Sequence, residues 1–155
     1  MAHFAELESK TDPTGFTTDT HLVVKRVIVV GNDVSTAAGP LGDNDEHVDG
    51  ETWCVNFFGG GTWKQTSYNH NFRKMYAGKG FIYNASKNKF LLQQPYASWS
   101  LDGSDDWQAP VTYPNGDQSA YLISWDEDNL RWVGVKISDN SNYRWDADNT
   151  EWVSL

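Results

Sequence analysis

The amino-acid sequence predicts a mainly β fold: an antiparallel sheet built of repeated aromatic β-hairpins, with one short helix. Three observations predict it. The run Leu22-Val23-Val24-Lys25-Arg26-Val27-Ile28-Val29-Val30 is rich in β-branched residues and stops at Gly31-Asn32-Asp33, the composition of a strand closed by a turn. Three later segments align without gaps on a pattern of aromatic, Asn or Asp, polar turn, aromatic. Aromatic residues make up 14% of the chain and include eight Trp. Such rings supply much apolar area per residue, which suits either a small β core or a recognition surface.

Taken in order, Ala2 to Leu7 alternates in part and reads as a first strand. Glu8 to His21 is rich in Thr, Asp, Pro and Gly and reads as a long loop joining it to the strand Leu22–Val30. Ser35 to Gly50 is small, polar and acidic, with Gly39-Pro40 and Gly42-Asp43-Asn44, and reads as a surface loop. A helix is predicted over Glu51–Phe58, opening at Asp49 or Gly50. Trp53, Phe57 and Phe58 then share one side, and Gly59-Gly60-Gly61 ends it. Thr62 to Tyr68 reads as extended and Asn69 to Lys74 as irregular. Tyr76 to Phe81 leads into the aligned segments.

Those segments are Phe81–Leu91, Ile123–Val133 and Tyr143–Val153. Asn84, Asp126 and Asp146 each open a polar turn, where a short side chain hydrogen-bonds its own backbone two residues on. The aromatic pairs Tyr83 and Phe90, Trp125 and Trp132, and Trp145 and Trp152 then face each other across a hairpin. Each such pair adds about 0.2–1 kcal/mol. Trp99 to Trp107 is a looser relative whose turn is one residue longer. Isolated hairpins are marginal, so the units are expected to pack together. One domain is expected over residues 1–155, with the strand pair and short helix in 1–80 and the hairpins in 81–155. At this length a single domain buries roughly 70% of its unfolded surface.

Charge and composition narrow the function. The net charge is −9, and the twelve basic residues cluster no further than the pairs Lys25-Arg26 and Arg73-Lys74. A nucleic-acid or anionic-membrane partner is not expected, since phosphate binding needs clustered Lys and Arg. No apolar stretch approaches the length of a membrane span. Met1-Ala2-His3-Phe4 lacks the basic-then-apolar pattern of a signal peptide, so synthesis and folding in cytoplasm are expected. The single Cys54 forms no intramolecular disulfide and reads as a small core residue rather than a nucleophile.

The motifs of catalysis are missing from the sequence. There is no nucleophile elbow, P-loop or dinucleotide fingerprint, and Gly59-Gly60-Gly61 lacks the Lys-Ser/Thr pair of a phosphate cradle. His3, His21, His47 and His70 show no metal-ligand spacing. Asp105 and Asp106 sit side by side in a turn, whereas glycosidase carboxyls stand apart across a cleft. The turns Asp126-Asp128-Asn129 and Asp146-Asp148-Asn149 lack the glycine and glutamate that complete a calcium loop. No enzyme activity, metal or cofactor is expected. The residues singled out for binding are Trp125, Trp132, Trp145 and Trp152, a candidate aromatic surface for a glycan or a protein.

Several motifs carry a family resemblance. They are Met1-Ala2-His3-Phe4-Ala5-Glu6-Leu7 with Val24–Val30, Phe58-Gly59-Gly60, and Trp63-Lys64-Gln65-Thr66-Ser67-Tyr68-Asn69. Phe72-Arg73-Lys74 with Tyr76-Ala77-Gly78, Gln94-Pro95-Tyr96 with Ser98-Trp99, Ala109-Pro110-Val111 with Tyr113-Pro114, and the Trp-Asp…Trp-Val ending complete the set. Together they resemble a widespread family of marine bacteriophage proteins, found in phages of cyanobacteria and other ocean bacteria. The resemblance implies a virion structural protein, such as a capsid decoration or a tail or fibre component. Its implied partners are other capsid or tail proteins and further copies of itself. The alternative is a carbohydrate-binding module used in host attachment. Two features depart from the family pattern: the length of Glu8 to His21, and the added hairpin within Val135 to Val153.

Overall fold

In a computed structural model of the chain, which describes residues 1–41 and 48–155, the fold is mainly β, with antiparallel sheets and one α-helix. The described residues form two compact units, Met1–Gln93 and Gln94–Leu155.

The first unit opens with β1 (Ala2–Thr11) and β2 (Thr20–Val30), paired antiparallel from Ala2 opposite Val30 to Thr11 opposite Thr20. A register shift between Glu6 and Leu7 bends the pair. Both strands run further than the sequence predicts, because one carboxylate shortens the loop. Asp12 Oδ1 accepts from the Thr14 amide at 2.9 Å and Oδ2 from the Thr17 amide at 3.0 Å, while the Asp12 amide donates to Asp19 O at 2.7 Å. The expected surface loop after β2 also contains structure: a small hairpin of β3 (Ser35–Thr36) and β4 (Gly39–Pro40) leads to the buried Leu41. Gly42-Asp43-Asn44 and His47 lie outside the described residues.

Helix α1 (Val48–Phe58) starts slightly earlier than predicted and ends at the predicted glycines. The Gly60 amide donates to Val55 O at 2.7 Å, and Gly59 has φ +72°, the left-handed closure that glycine adopts without steric cost. Strand β5 (Thr62–Thr66) then pairs with β1, and a hairpin of β6 (Ile82–Asn84) and β7 (Lys89–Leu91) pairs with β2. The sheet order is β5-β1-β2-β6-β7.

Consecutive residues Phe4 and Ala5 are both fully buried, so this sheet is covered on both faces at β1. On one face Phe4, Val30 and Trp63 pack with Leu41 and with Cys54 of the helix. Gly50 permits that close approach, since a Cβ there would overlap the Phe4 ring and Leu41. On the other face Ala5, Leu7 and Val24 pack with Ala77, Tyr83 and Phe90.

The second unit holds a short hairpin of β8 (Ser100–Leu101) and β9 (Trp107–Gln108), and a four-stranded meander of β10 (Tyr121–Asp126), β11 (Arg131–Lys136), β12 (Asn142–Asp146) and β13 (Glu151–Ser154). Trp125 lies opposite Trp132, and Trp145 opposite Trp152. In the first unit Tyr83 lies opposite Phe90. The three turns share their geometry. Asn88, Leu130 and Thr150, each the last turn residue, have φ of 51°, 48° and 53°. The side-chain oxygens of Asn84, Asp126 and Asp146 accept from the amides of Lys87, Asn129 and Asn149 at 3.0, 3.3 and 3.1 Å. This reach is three residues, one more than the sequence reading assumes, because each tip is a four-residue turn; Asp146 also accepts from the Asp148 amide two residues on, at 3.1 Å. In the looser relative, Trp107 lies opposite Leu101 rather than Trp99.

Candidate functional site

The tryptophans chosen as a candidate surface lie in the core of the second unit. Trp125, Trp132 and Trp145 are only 7%, 8% and 8% exposed, and Trp152 is half-buried. Trp125 and Trp132 meet edge to face at 5.0 Å, Trp145 and Trp152 at 5.3 Å, and Trp99 packs edge-on against Trp125 and Trp132. The cause is architectural. The second unit has no helix to cover its meander, so its own rings close the sheet.

The indole donors of Trp125, Trp132 and Trp152 are also engaged within the unit. Trp132 Nε1 donates to Val111 O at 2.9 Å, and Trp152 Nε1 donates to Gln118 Oε1 at 2.7 Å. Trp125 Nε1 donates to Glu127 Oε2 at 2.7 Å, and the Ser98 amide donates to the other carboxylate oxygen at 2.8 Å. Bonds from the Ser98 side chain, then from Trp125, hold the Glu127 carboxyl below its ordinary range. Gly134 leaves room for Trp152, since a Cβ there would stand 2.9 Å from the indole Cη2. Trp145 also lines a depression of about 350 Å³ with Tyr113 and Asn115.

The first unit carries two exposed aromatic features. At the end of α1, Trp53 stacks on Phe57 at 4.8 Å, Phe57 meets Phe58 edge-on at 4.9 Å, and Phe58 stacks on Trp63 at 4.8 Å. The Arg26 guanidinium lies 4.7 Å from the Phe58 ring centre. Phe57 is 65% exposed and Phe58 38%, so the middle of this ladder is open to solvent between the half-buried Trp53 and the buried Trp63.

The second feature lies beyond β5, around Tyr68, which is 65% exposed. His3 of β1 stacks on Tyr68 at 5.6 Å, and Tyr76 meets both rings edge-on at 5.4 Å. Tyr68, Asn69, His70, Tyr76 and Leu92 line an open depression of about 680 Å³. Its loop is held tightly. The Tyr76 amide donates to His70 Nδ1 at 3.1 Å, and the Asn71 amide donates to Ser67 Oγ at 3.0 Å. Arg73 Nη1 donates to Glu51 Oε1 at 2.7 Å and to Gln65 O at 2.8 Å. Burial, then the charge of the N-terminus, lowers the His3 pKa; burial, then Tyr68, raises that of Tyr76.

The other polar candidates are tied into local structure. Asp126 and Asp146 accept from their own turn amides and from the side chains of Asn129 and Asn149. The Asn129 side chain first, then Arg131, holds the Asp126 carboxyl low. Asp105 is 7% exposed, within the β8–β9 turn. Cys54 is fully buried, and burial, then Glu51, pushes its thiol up to about 12. Among the described residues no three His, Cys, Asp or Glu side chains gather as metal ligands. Among them, too, no helix is long and apolar enough to cross a membrane.

Sequence reasoning missed the Tyr68 cluster. Its rings come from β1, from the end of β5 and from an irregular loop, and no local pattern joins positions so far apart. The described chain is a mainly β protein of two units, with exposed aromatic surface on the first. It matches no protein-family model, no curated protein and no solved structure.

Proposed function

We propose that this chain is a structural protein of a bacteriophage particle, made in the host cytoplasm and carried on the particle surface as a capsid decoration or a tail or fibre component. The observation that carries the reading is the aromatic ladder Trp53–Phe57–Phe58–Trp63, whose two middle rings, Phe57 and Phe58, are exposed. Exposed contiguous aromatic surface marks a protein contact, and aromatic rings are enriched at such contacts. Phe58 and Trp63 also belong to the motifs that resemble the marine phage family. The partners on this reading are capsid or tail proteins and further copies of the chain, with no catalytic role.

The test is quantitative mass spectrometry of density-purified particles of the phage that encodes the chain. A fixed ratio to the major capsid protein is expected, high for a decoration and low for a tail or fibre part. Absence from the particles overturns the reading. A Phe57→Ser variant with an unchanged circular dichroism spectrum is expected to leave the particle, and undiminished retention removes the ladder as the contact.

The alternative, a carbohydrate-binding module for host attachment, draws support from Tyr68 rather than from the tryptophans. Tyr68 offers an exposed ring beside polar side chains.

A further inference from the structure

Tyr68 presents one ring face to solvent. His3 stacks against the ring with an interplanar angle of 23°, Tyr76 abuts it, and the ring is still 65% exposed. Beside it stand the exposed side chains of Asn69 and His70. His70 Nδ1 accepts the Tyr76 amide, so the neutral imidazole carries its proton on Nε2, a donor left for a ligand. Leu92 forms part of an apolar border, and no Asp, Glu, Lys or Arg lines the depression among the described residues.

The loop is prearranged. His70, Arg73 and Lys74 occupy the left-handed region at φ of 59°, 52° and 70°. Asn88, Asp105, Leu130, Asn140 and Thr150 do so in the turns that join neighbouring strands, where the chain reversal requires it. The strain at 70–74 serves no such turn between paired strands and is held by the Arg73 and His70 contacts. Strain held in this way clusters at binding sites, and a fixed loop lowers the ordering cost of binding.

A flat aromatic face, neutral donors and acceptors, and the absence of lining charge select a neutral ligand with one apolar face and many hydroxyls. We infer that this depression binds a neutral hexopyranose oligosaccharide, with Tyr68 as the stacking platform and Asn69 and His70 as its polar contacts. The sugar's C–H face lies on the ring, and its equatorial hydroxyls meet the amide and imidazole. A proline-rich peptide fits less well, because Tyr68 and Tyr76 stand at 72° and form no parallel walls to grip a proline ring. The inference is independent of the particle reading, and the purified chain tests it without particles.

The full chain is titrated by calorimetry with cellotetraose, maltotetraose, mannotetraose and a proline-rich decapeptide. At least one tetrasaccharide is expected to bind. Tyr68→Ala is expected to weaken it about tenfold or more, while Tyr68→Phe, which keeps the platform, stays within about threefold. Both variants should keep the wild-type circular dichroism spectrum, since Tyr68 is largely exposed. Binding of no tetrasaccharide, binding insensitive to Tyr68→Ala, or binding of the peptide alone overturns the inference.

Discussion

Glu51 ties three segments of the first unit together. Its Oε1 accepts the Gln65 amide at 2.9 Å and the Arg73 guanidinium at 2.7 Å, and Arg73 donates in turn to Gln65 O. Strand β5 is the edge of its sheet, so at Gln65 a largely buried ion pair stands where a further strand would bond. Removing one partner of a largely buried pair strands the other. Arg73→Ala is therefore expected to cost about 3–5 kcal/mol, read from the urea midpoint of the first unit. Next along the helix, the buried Cys54 thiol stays protonated at neutral pH, because its pKa is raised to about 12. Native protein at pH 8 should resist iodoacetamide, and unfolded protein should react; rapid alkylation of the native thiol would contradict the burial.

At the scale of elements, the hairpin tips follow one geometry with unequal comfort. The left-handed position holds Asn88, Leu130 and Thr150, and a β-branched residue fits that region worst. Thr150→Gly should stabilise the second unit by about 0.5–1 kcal/mol, measured by thermal unfolding. Asn88→Gly should do the reverse, because Asn tolerates the conformation and Asn88 Oδ1 accepts from Arg73 Nε at 2.8 Å and from the Tyr83 hydroxyl at 2.5 Å. These tips were legible in the sequence because their signals are local: Asn or Asp at the start, polar residues between, rings on either side. The strand Leu22–Val30 and the glycine stop of α1 were legible for the same reason. The partner of each hairpin was not. Tyr83 and Phe90 share the pattern of the tryptophan hairpins, yet their hairpin joins β2 through Leu22 and Val23. Pairing between distant segments leaves no mark on spacing.

At the scale of the whole molecule, the two units solve burial differently. The first covers both faces of its sheet with a helix on one side and loop residues such as Ala77 on the other. The second closes a meander with its own indoles. The sequence leaves open whether those rings pack or face a ligand, because it does not show what covers the sheet; Trp125, Trp132 and Trp145, candidates for a surface, are core. Tyr68, in a stretch with no periodicity, is among the rings left open. Small units of this kind have little stability to spare, so the loss of one indole weighs heavily. Trp132→Ala should cost the second unit about 3–5 kcal/mol, followed by urea unfolding of the full chain.

The edge-to-face pairs Trp125–Trp132 and Trp145–Trp152, at 5.0 and 5.3 Å, also have an optical consequence. Indole transitions held so close and so steeply inclined couple as excitons and give a paired band of opposite signs in the far-ultraviolet circular dichroism. Trp53 and Trp63 of the first unit pack with phenylalanines instead, and contribute no such couplet. The second unit thus carries its own chromophore, and its melting can be followed by the collapse of that couplet, which rides on the peptide signal of the helix and strands.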